Sequence, residues 1–134
     1  MTGDAVFESI AMTKILLIED ILDNAELVRR ALSTTDYEII QAADANTGLQ
    51  LALAHCPDLI LLDLGLPDYD GQTLAGWLRA EDSLNATPIV ALTAWPEETA
   101  RQMVESYGFN GYICKPITNV REFVSQIKSF LKTS

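Results

Sequence analysis

The run Leu59-Ile60-Leu61-Leu62, closed by Asp63, constrains this chain more than any other segment. Pro57 bounds it on one side and Gly65-Leu66-Pro67 on the other. Four consecutive aliphatic side chains between turn residues read as a strand buried on both faces, as in parallel sheets. Parallel strands need crossover connections, so the rest of the chain must supply helices. Asp63 stands at the C-terminal tip of the strand, where open α/β sheets bind ligands. An aspartate there also suits a turn, so its meaning depends on the residues at the other strand tips.

The helices are present, and they alternate with strands from Lys14 onward. Ile15-Leu16-Leu17-Ile18 reads as a first strand. Ala25, Val28, Ala31 and Leu32 mark one face of a helix that Asp23 or Asn24 could cap. Tyr37-Glu38-Ile39-Ile40 is a more polar strand, as suits a sheet edge, and Thr47 to Ala54 a second helix ending before Pro57. After the strand at 59–62 comes a helix from Gly71 to Ala80, capped by Asp70, with Leu74, Trp77 and Leu78 inward. Pro88 to Leu92 is a fourth strand, and Glu97 to Tyr107 a fourth helix with two glutamates in its first turn, where the helix dipole favours them. Gly111-Tyr112-Ile113-Cys114 is a fifth strand, and Val120, Phe123, Val124, Ile127 and Leu131 stripe a last helix. Five βα units with short loops predict a flavodoxin-like, doubly wound (βα)5 fold, a five-stranded parallel sheet with helices on both faces. A (β/α)8 barrel needs about 250 residues, and this chain has 134. Residues 1–13 read as a short extension and 14–134 as one domain.

Composition narrows the function. A chain that is 49% hydrophobic can build a full core without staples. No apolar stretch approaches the roughly 18 residues of a membrane-spanning helix. The N-terminus lacks a basic region followed by an apolar core, so no export signal is expected and the cytoplasm is the expected compartment. Cys56 and Cys114 have no metal-ligand spacing and are expected to be reduced, partly buried thiols. His55 falls at a helix end rather than in a ligand pattern. A net charge of −10, with nine scattered basic residues, argues against binding nucleic acid or an anionic membrane. It suits a metal cation or a basic protein partner.

Parallel strands all end on one side of their sheet, so the residues just past each strand should converge. These are Glu19 and Asp20, then Asp63, then Thr93, then Lys115. Carboxylates about 5 Å apart repel by roughly 3 kcal/mol per pair at an effective dielectric near 20, and one lysine offsets only part of that. A divalent cation relieves it, and oxygen-only ligands suit Mg²⁺. Metal, ammonium and hydroxyl together favour a phosphoryl group, and a carboxylate beside one is a potential nucleophile. The residues alone reach a metal-assisted phosphoryl acceptor, without saying which aspartate is attacked or what donates.

The chain from Lys14 to Leu131 resembles a response-regulator receiver domain of two-component signalling. Four segments carry the resemblance, in order and each at a strand tip: Ile18-Glu19-Asp20, Asp63 through Gly71, Leu92-Thr93-Ala94, and Tyr112 through Ile117. The resemblance implies that Asp63 takes a phosphoryl group from a phosphohistidine on a histidine kinase or histidine phosphotransfer protein. It implies Mg²⁺ held by Glu19, Asp20, Asp63 and the carbonyl of Gly65, with Lys115 on the phosphoryl oxygens and a cis bond from Lys115 to Pro116. It also implies a switch. Thr93 moves toward the phosphoryl group, Tyr112 turns inward, and the face of the fourth helix, fifth strand and fifth helix is remodelled for a downstream target, a shift between pre-existing states. A weak homodimer is compatible with such a domain. No separate output enzyme or DNA-binding domain is expected.

Two residues depart from the common pattern. Gly65 has no side chain where many relatives carry a polar one that helps place the hydrolytic water, and Trp95 is large and apolar two residues after Thr93. Both lead to the expectation of a slowly hydrolysing phosphoryl group. Ile21 and Leu22 replace the polar residues frequent after the acidic pair, either to pack beneath the loop or to offer an apolar spot for a kinase helix bundle. The main rival is a degenerate receiver that binds partners without phosphorylation, which the intact set Asp20, Asp63, Thr93 and Lys115 opposes. A haloacid-dehalogenase-type phosphatase needs an aspartate where Gly65 stands, and a flavodoxin-like flavin site would not place Glu19-Asp20 against a phosphate.

Overall fold

The computed structural model describes residues 12–132. Its elements run β1 (Lys14–Ile18), α1 (Leu22–Ala31), β2 (Glu38–Ala42), α2 (Ala45–His55), β3 (Leu59–Asp63) and α3 (Gly71–Arg79). After a short 3₁₀ turn at Asp82–Leu84 come β4 (Ile89–Thr93), α4 (Glu97–Tyr107), β5 (Gly111–Cys114) and α5 (Val120–Lys132). The strands form one parallel sheet in the order β2-β1-β3-β4-β5. This is the flavodoxin-like (βα)5 arrangement, with β2 at an edge as its polarity suggests. Of the expected extension over 1–13, only Met12 and Thr13 lie among the described residues, and the Thr13 carbonyl accepts from the Glu38 N–H at 2.8 Å.

The two-residue period of a strand sorts its side chains into two cores. Leu16, Ile18, Ile60, Leu62, Ile89 and Ala91 pack against α2, α3 and α4 through residues such as Ala52, Leu74, Leu78 and Met103. Ile15, Leu17, Leu59, Leu61, Val90 and Leu92 face α1 and α5 through Val28, Leu32, Phe123 and Ile127. β3 and β4 are buried at every position, which is why their sequence is an unbroken apolar run.

Several local expectations differ from the structure. Ile21, not Asp23 or Asn24, is the N-cap of α1, and it makes no side-chain cap. α2 begins at Ala45 rather than Thr47, because Asp44 caps it by accepting from the Thr47 N–H at 2.8 Å. Asp63 and Thr93 are the last residues of their strands rather than the first beyond them. Val120 opens α5 but stays 47% exposed, and the buried stripe starts at Phe123. Both cysteines are exposed rather than partly buried. Cys56 terminates α2 in a left-handed conformation (φ 45°), and Cys114 ends the edge strand β5. Asp70 caps α3 as expected, accepting from the Thr73 N–H at 2.8 Å, and His55 is the last residue of α2.

One half-buried cation joins four segments on the side of the sheet remote from the strand tips. Arg79, at the end of α3, donates to the carbonyls of Gly108 (3.0 Å), Leu84 (3.2 Å) and Thr87 (2.9 Å) and to Asn110 Oδ1 (2.6 Å). Asn110 Oδ1 also accepts from the Ile89 N–H at 2.8 Å, where β4 enters the sheet. No carboxylate is among these partners, and burial alone pulls the guanidinium below its ordinary range. Hydrogen bonds to a charged group contribute roughly 1.5–3 kcal/mol each net of lost hydration, and less where the group is partly exposed as here. Replacing Arg79 by Ala leaves the part-buried Leu84 and Thr87 carbonyls unpaired and is expected to cost about 2 kcal/mol in urea unfolding, with Arg79→Lys recovering less than half because an ammonium cannot span the same fork of acceptors.

Candidate functional site

The period that builds the two cores also assembles the site. Glu19 continues the parity of Ile15 and Leu17, Asp63 that of Leu59 and Leu61, and Lys115 that of Ile113. All three side chains therefore emerge over the α1/α5 side at the C-terminal edge of the sheet. Thr93 and Tyr112 have the opposite parity, and the Tyr112 ring packs with the α2/α3/α4 core. β1 and β4 flank β3 directly, with Ile18 beside Leu62 and Leu92 beside Asp63.

The result is a compact charged cluster. Lys115 Nζ donates to Asp63 Oδ1 at 2.9 Å and to Glu19 Oε1 at 3.3 Å. Glu19 is fully buried and Asp63 is only 6% exposed. Glu19 Oε2 accepts from the Ile21 N–H at 3.3 Å. One oxygen from each of Glu19, Asp20 and Asp63 lies within 4.8 Å of the others. Asp20 Oδ1 is buried and has no hydrogen-bond partner among the described residues. Burial is the main influence raising the Glu19 carboxyl above its usual 4.5, and Asp63 adds to it, while Lys115 and the Ile21 N–H pull the other way. Burial depresses Lys115, but Asp63 and then Glu19 outweigh it and hold the ammonium above its usual 10.5. Three clustered carboxylates, one orphaned buried oxygen and no sulfur or imidazole fit a hard divalent cation such as Mg²⁺.

The loop after β3 is held tightly. The Gly71 N–H donates to the Leu64 carbonyl at 2.9 Å, and Gly65 bridges Asp70 in antiparallel fashion. A Cβ on Gly71 would fall 2.8 Å from Leu64 Cα and 2.9 Å from the Asp63 carbonyl oxygen, so only glycine lets α3 start this close to the strand tip. At Gly65 an added Cβ meets nothing within 4 Å, so a side chain there has room. Tyr69 stacks edge-on against Trp77, with ring centroids 4.7 Å apart.

The remaining expected residues surround the cluster. Thr93 is buried, and its hydroxyl oxygen accepts from the Trp95 N–H at 2.9 Å. Trp95 is 38% exposed, so its indole is not absorbed into the core. The Lys115–Pro116 bond is cis. Tyr112 is half-buried and its hydroxyl lies near Arg101 of α4, which pairs with Glu97 at 2.9 Å and Glu98 at 3.3 Å. Ile21 and Leu22 are 51% and 73% exposed, so they do not pack beneath the loop. Asp68 escaped the reading of the sequence as more than part of a motif. Its carboxylate reaches the first turn of α2, accepting from the Ala45 N–H at 2.8 Å and the Asn46 N–H at 3.1 Å. The partners lie 22 and 23 residues away, and no local pattern announces such a contact.

A doubly wound (βα)5 sheet whose strand tips carry an acidic pocket and one lysine defines the CheY-like class of folds. Within it the chain belongs to the response regulator receiver domain family, whose profile matches residues 15–128. The polar-differentiation response regulator DivK of Brucella ovis is 36% identical over 121 residues, covering 90% of this chain and 98% of that one. The chemotaxis protein CheY4 of Vibrio cholerae superposes with a TM-score of 0.82 at 26% identity, covering 90% of this chain and 99% of that one. The receiver domain of a Pseudomonas aeruginosa sensor histidine kinase, described with a magnesium ion coordinated in its active-site cleft, superposes with a TM-score of 0.82 at 29% identity over 91% of this chain and 99% of that one. Among the described residues no helix is long and apolar enough to cross a membrane.

The raised Glu19 carboxyl has a measurable consequence. Between 4.5 and its higher folded value, the native state holds a proton that the unfolded chain has lost. Stability from this group is therefore complete below 4.5 and is lost as pH rises through the folded value. Asp63→Asn removes one neighbouring charge, so in metal-free protein the Glu19 carboxyl is expected to move down toward 4.5 and the window to narrow. A ¹³C carboxyl titration reads this directly, and an unchanged Glu19 midpoint contradicts it.

Proposed function

We propose that Asp63 is the phospho-acceptor of a two-component phosphorelay, fed by a phosphohistidine on a histidine kinase or histidine phosphotransfer protein. The observation that carries the reading is Lys115 shared between Asp63 and Glu19 beside the unpartnered Asp20 oxygen. An Asp63 carboxylate oxygen attacks phosphorus, the P–N bond to the donor imidazole breaks, and the leaving imidazole takes up a proton. Glu19, Asp20, Asp63 and the Gly65 carbonyl would hold Mg²⁺, which neutralises charge on the transferring group when bound. Lys115 already faces Asp63 and moves little to pair with phosphoryl oxygens. Thr93 gives up its bond to the Trp95 N–H and donates its hydroxyl proton to the new group. Tyr112 then leaves Arg101 and turns inward. The chain promotes its own phosphorylation and hydrolysis and acts in the cytoplasm through partner proteins.

The remodelled surface is the α4-β5-α5 face. There Glu97, Tyr112, Cys114, Asn119, Phe123 and Gln126 help line a cavity of 470 Å³ that a downstream target can enter. At the start of α1, exposed Ile21 and Leu22 adjoin the acidic loop and suit docking of a kinase helix bundle. Incubation with Mg²⁺ and acetyl phosphate is expected to add one phosphoryl mass to wild type and none to Asp63→Asn. Equal labelling of the two proteins rules Asp63 out as acceptor. If beryllofluoride and acetyl phosphate both leave wild type unmodified while a target still binds, the chain is a phosphorylation-independent interaction module.

We extend this proposal to a long phosphoryl lifetime at the same site. Gly65 offers no side chain to orient water, although space exists for one, and Trp95, whose backbone N–H donates to Thr93 Oγ1, carries a part-exposed apolar side chain. The double substitution Gly65→Asn with Trp95→Glu is expected to shorten the half-life by about tenfold, equivalent to roughly 1.4 kcal/mol in the hydrolytic barrier. A half-life unchanged from wild type removes this explanation.

A further inference from the structure

We infer that Asp68 is a positioning residue that braces the two halves of the divalent-cation site against each other through the first turn of α2. The inference rests on the phospho-acceptor reading above. The cation ligands come from two loops, Glu19-Asp20 after β1 and Asp63–Gly65 after β3. Neighbouring strands align Asp63 with the β1 tip, but Gly65 lies beyond the sheet, where the ladder no longer fixes the backbone. The bonds that hold its loop, Gly71 to Leu64 and Gly65 to Asp70, tie the loop to itself and to α3. Asp68 supplies the link in the other direction. Its Oδ1 accepts from the N–H groups of Ala45 at 2.8 Å and Tyr69 at 3.0 Å, and its Oδ2 accepts from the Asn46 N–H at 3.1 Å.

The first turn of α2 is in turn fastened to the acidic loop. The Glu19 N–H donates to the Ala42 carbonyl at 2.9 Å, three residues before the helix starts. Gly48 lies so close to the β1 tip that a Cβ on it would come within 2.7 Å of Ile18 Cδ1. A closed circuit results, from Glu19 through Ala42 and α2 to Asp68 and back along the loop to Gly65. Helix α2 leaves its first N–H groups without internal partners, and two different carboxylates satisfy them. Asp68 takes Ala45 and Asn46, while Asp44 takes Thr47 at 2.8 Å. Asp44 is local to the helix and touches no part of the β3-α3 loop through these bonds. Nature has thus supplied the control: one aspartate caps, and the other caps and braces.

Mg²⁺ titrations of full-length wild type, Asp68→Ala, Asp68→Asn and Asp44→Ala, read by calorimetry and by the Gly65 amide resonance, separate the roles. Asp68→Ala is expected to weaken Mg²⁺ binding by about tenfold, the scale of an outer-sphere defect, with Asp68→Asn in between. Asp44→Ala is expected to lower the melting temperature yet bind Mg²⁺ within about twofold of wild type, since it leaves that outer sphere intact. Wild-type affinity in Asp68→Ala, or equal weakening in Asp68→Ala and Asp44→Ala, overturns the brace. Absence of Mg²⁺ binding by wild type overturns the site reading itself, and the brace with it.

Discussion

Burial of a parallel strand on both faces is the constraint from which this structure follows. Along β3 no polar side chain can be tolerated until the strand reaches the edge of its two covering layers. Asp63 occupies that first tolerable position. The same period-two geometry that divides the aliphatic residues between two cores carries Glu19, Asp63 and Lys115 onto one side and Thr93 and Tyr112 onto the other. The charged centre and the pair of residues that would report its state are therefore separated by the plane of the sheet. The reporters face the layer that contains α4.

The two inward cations illustrate how context divides structural from functional charge. Arg79 is surrounded by carbonyls and an amide oxygen, all neutral, and every contact it makes joins one segment of the fold to another. Lys115 faces two carboxylates that also crowd a third. The first arrangement is satisfied as it stands. The second leaves an excess of negative charge and an orphaned Asp20 oxygen, a donor set that fits a cation.

Much of this was readable from one dimension. Alternating apolar strands and amphipathic helices foretold the order of elements, and the strand tips foretold that Glu19, Asp20, Asp63 and Lys115 converge. The failures share a cause. Asp23 and Asn24 looked like caps by residue type, but the chain enters α1 two or three residues earlier. Both cysteines looked half-buried by composition, but each closes an element at the surface. Val120 fitted the helical stripe, but it opens α5 ahead of the buried residues. In each case the local pattern was sound and the deciding information was where an element ends relative to its neighbours.

By itself the sequence determined the fold class, the parity of each strand residue and the strand ends at which Glu19, Asp20, Asp63, Thr93 and Lys115 stand. These depend on periodicities and spacings that are local. Only the tertiary structure decided which carboxylate shares the lysine, which oxygen is left without a partner, and that Asp68 reaches across to the start of α2. Those outcomes depend on contacts between residues tens of positions apart, and no periodicity within a strand or helix records them.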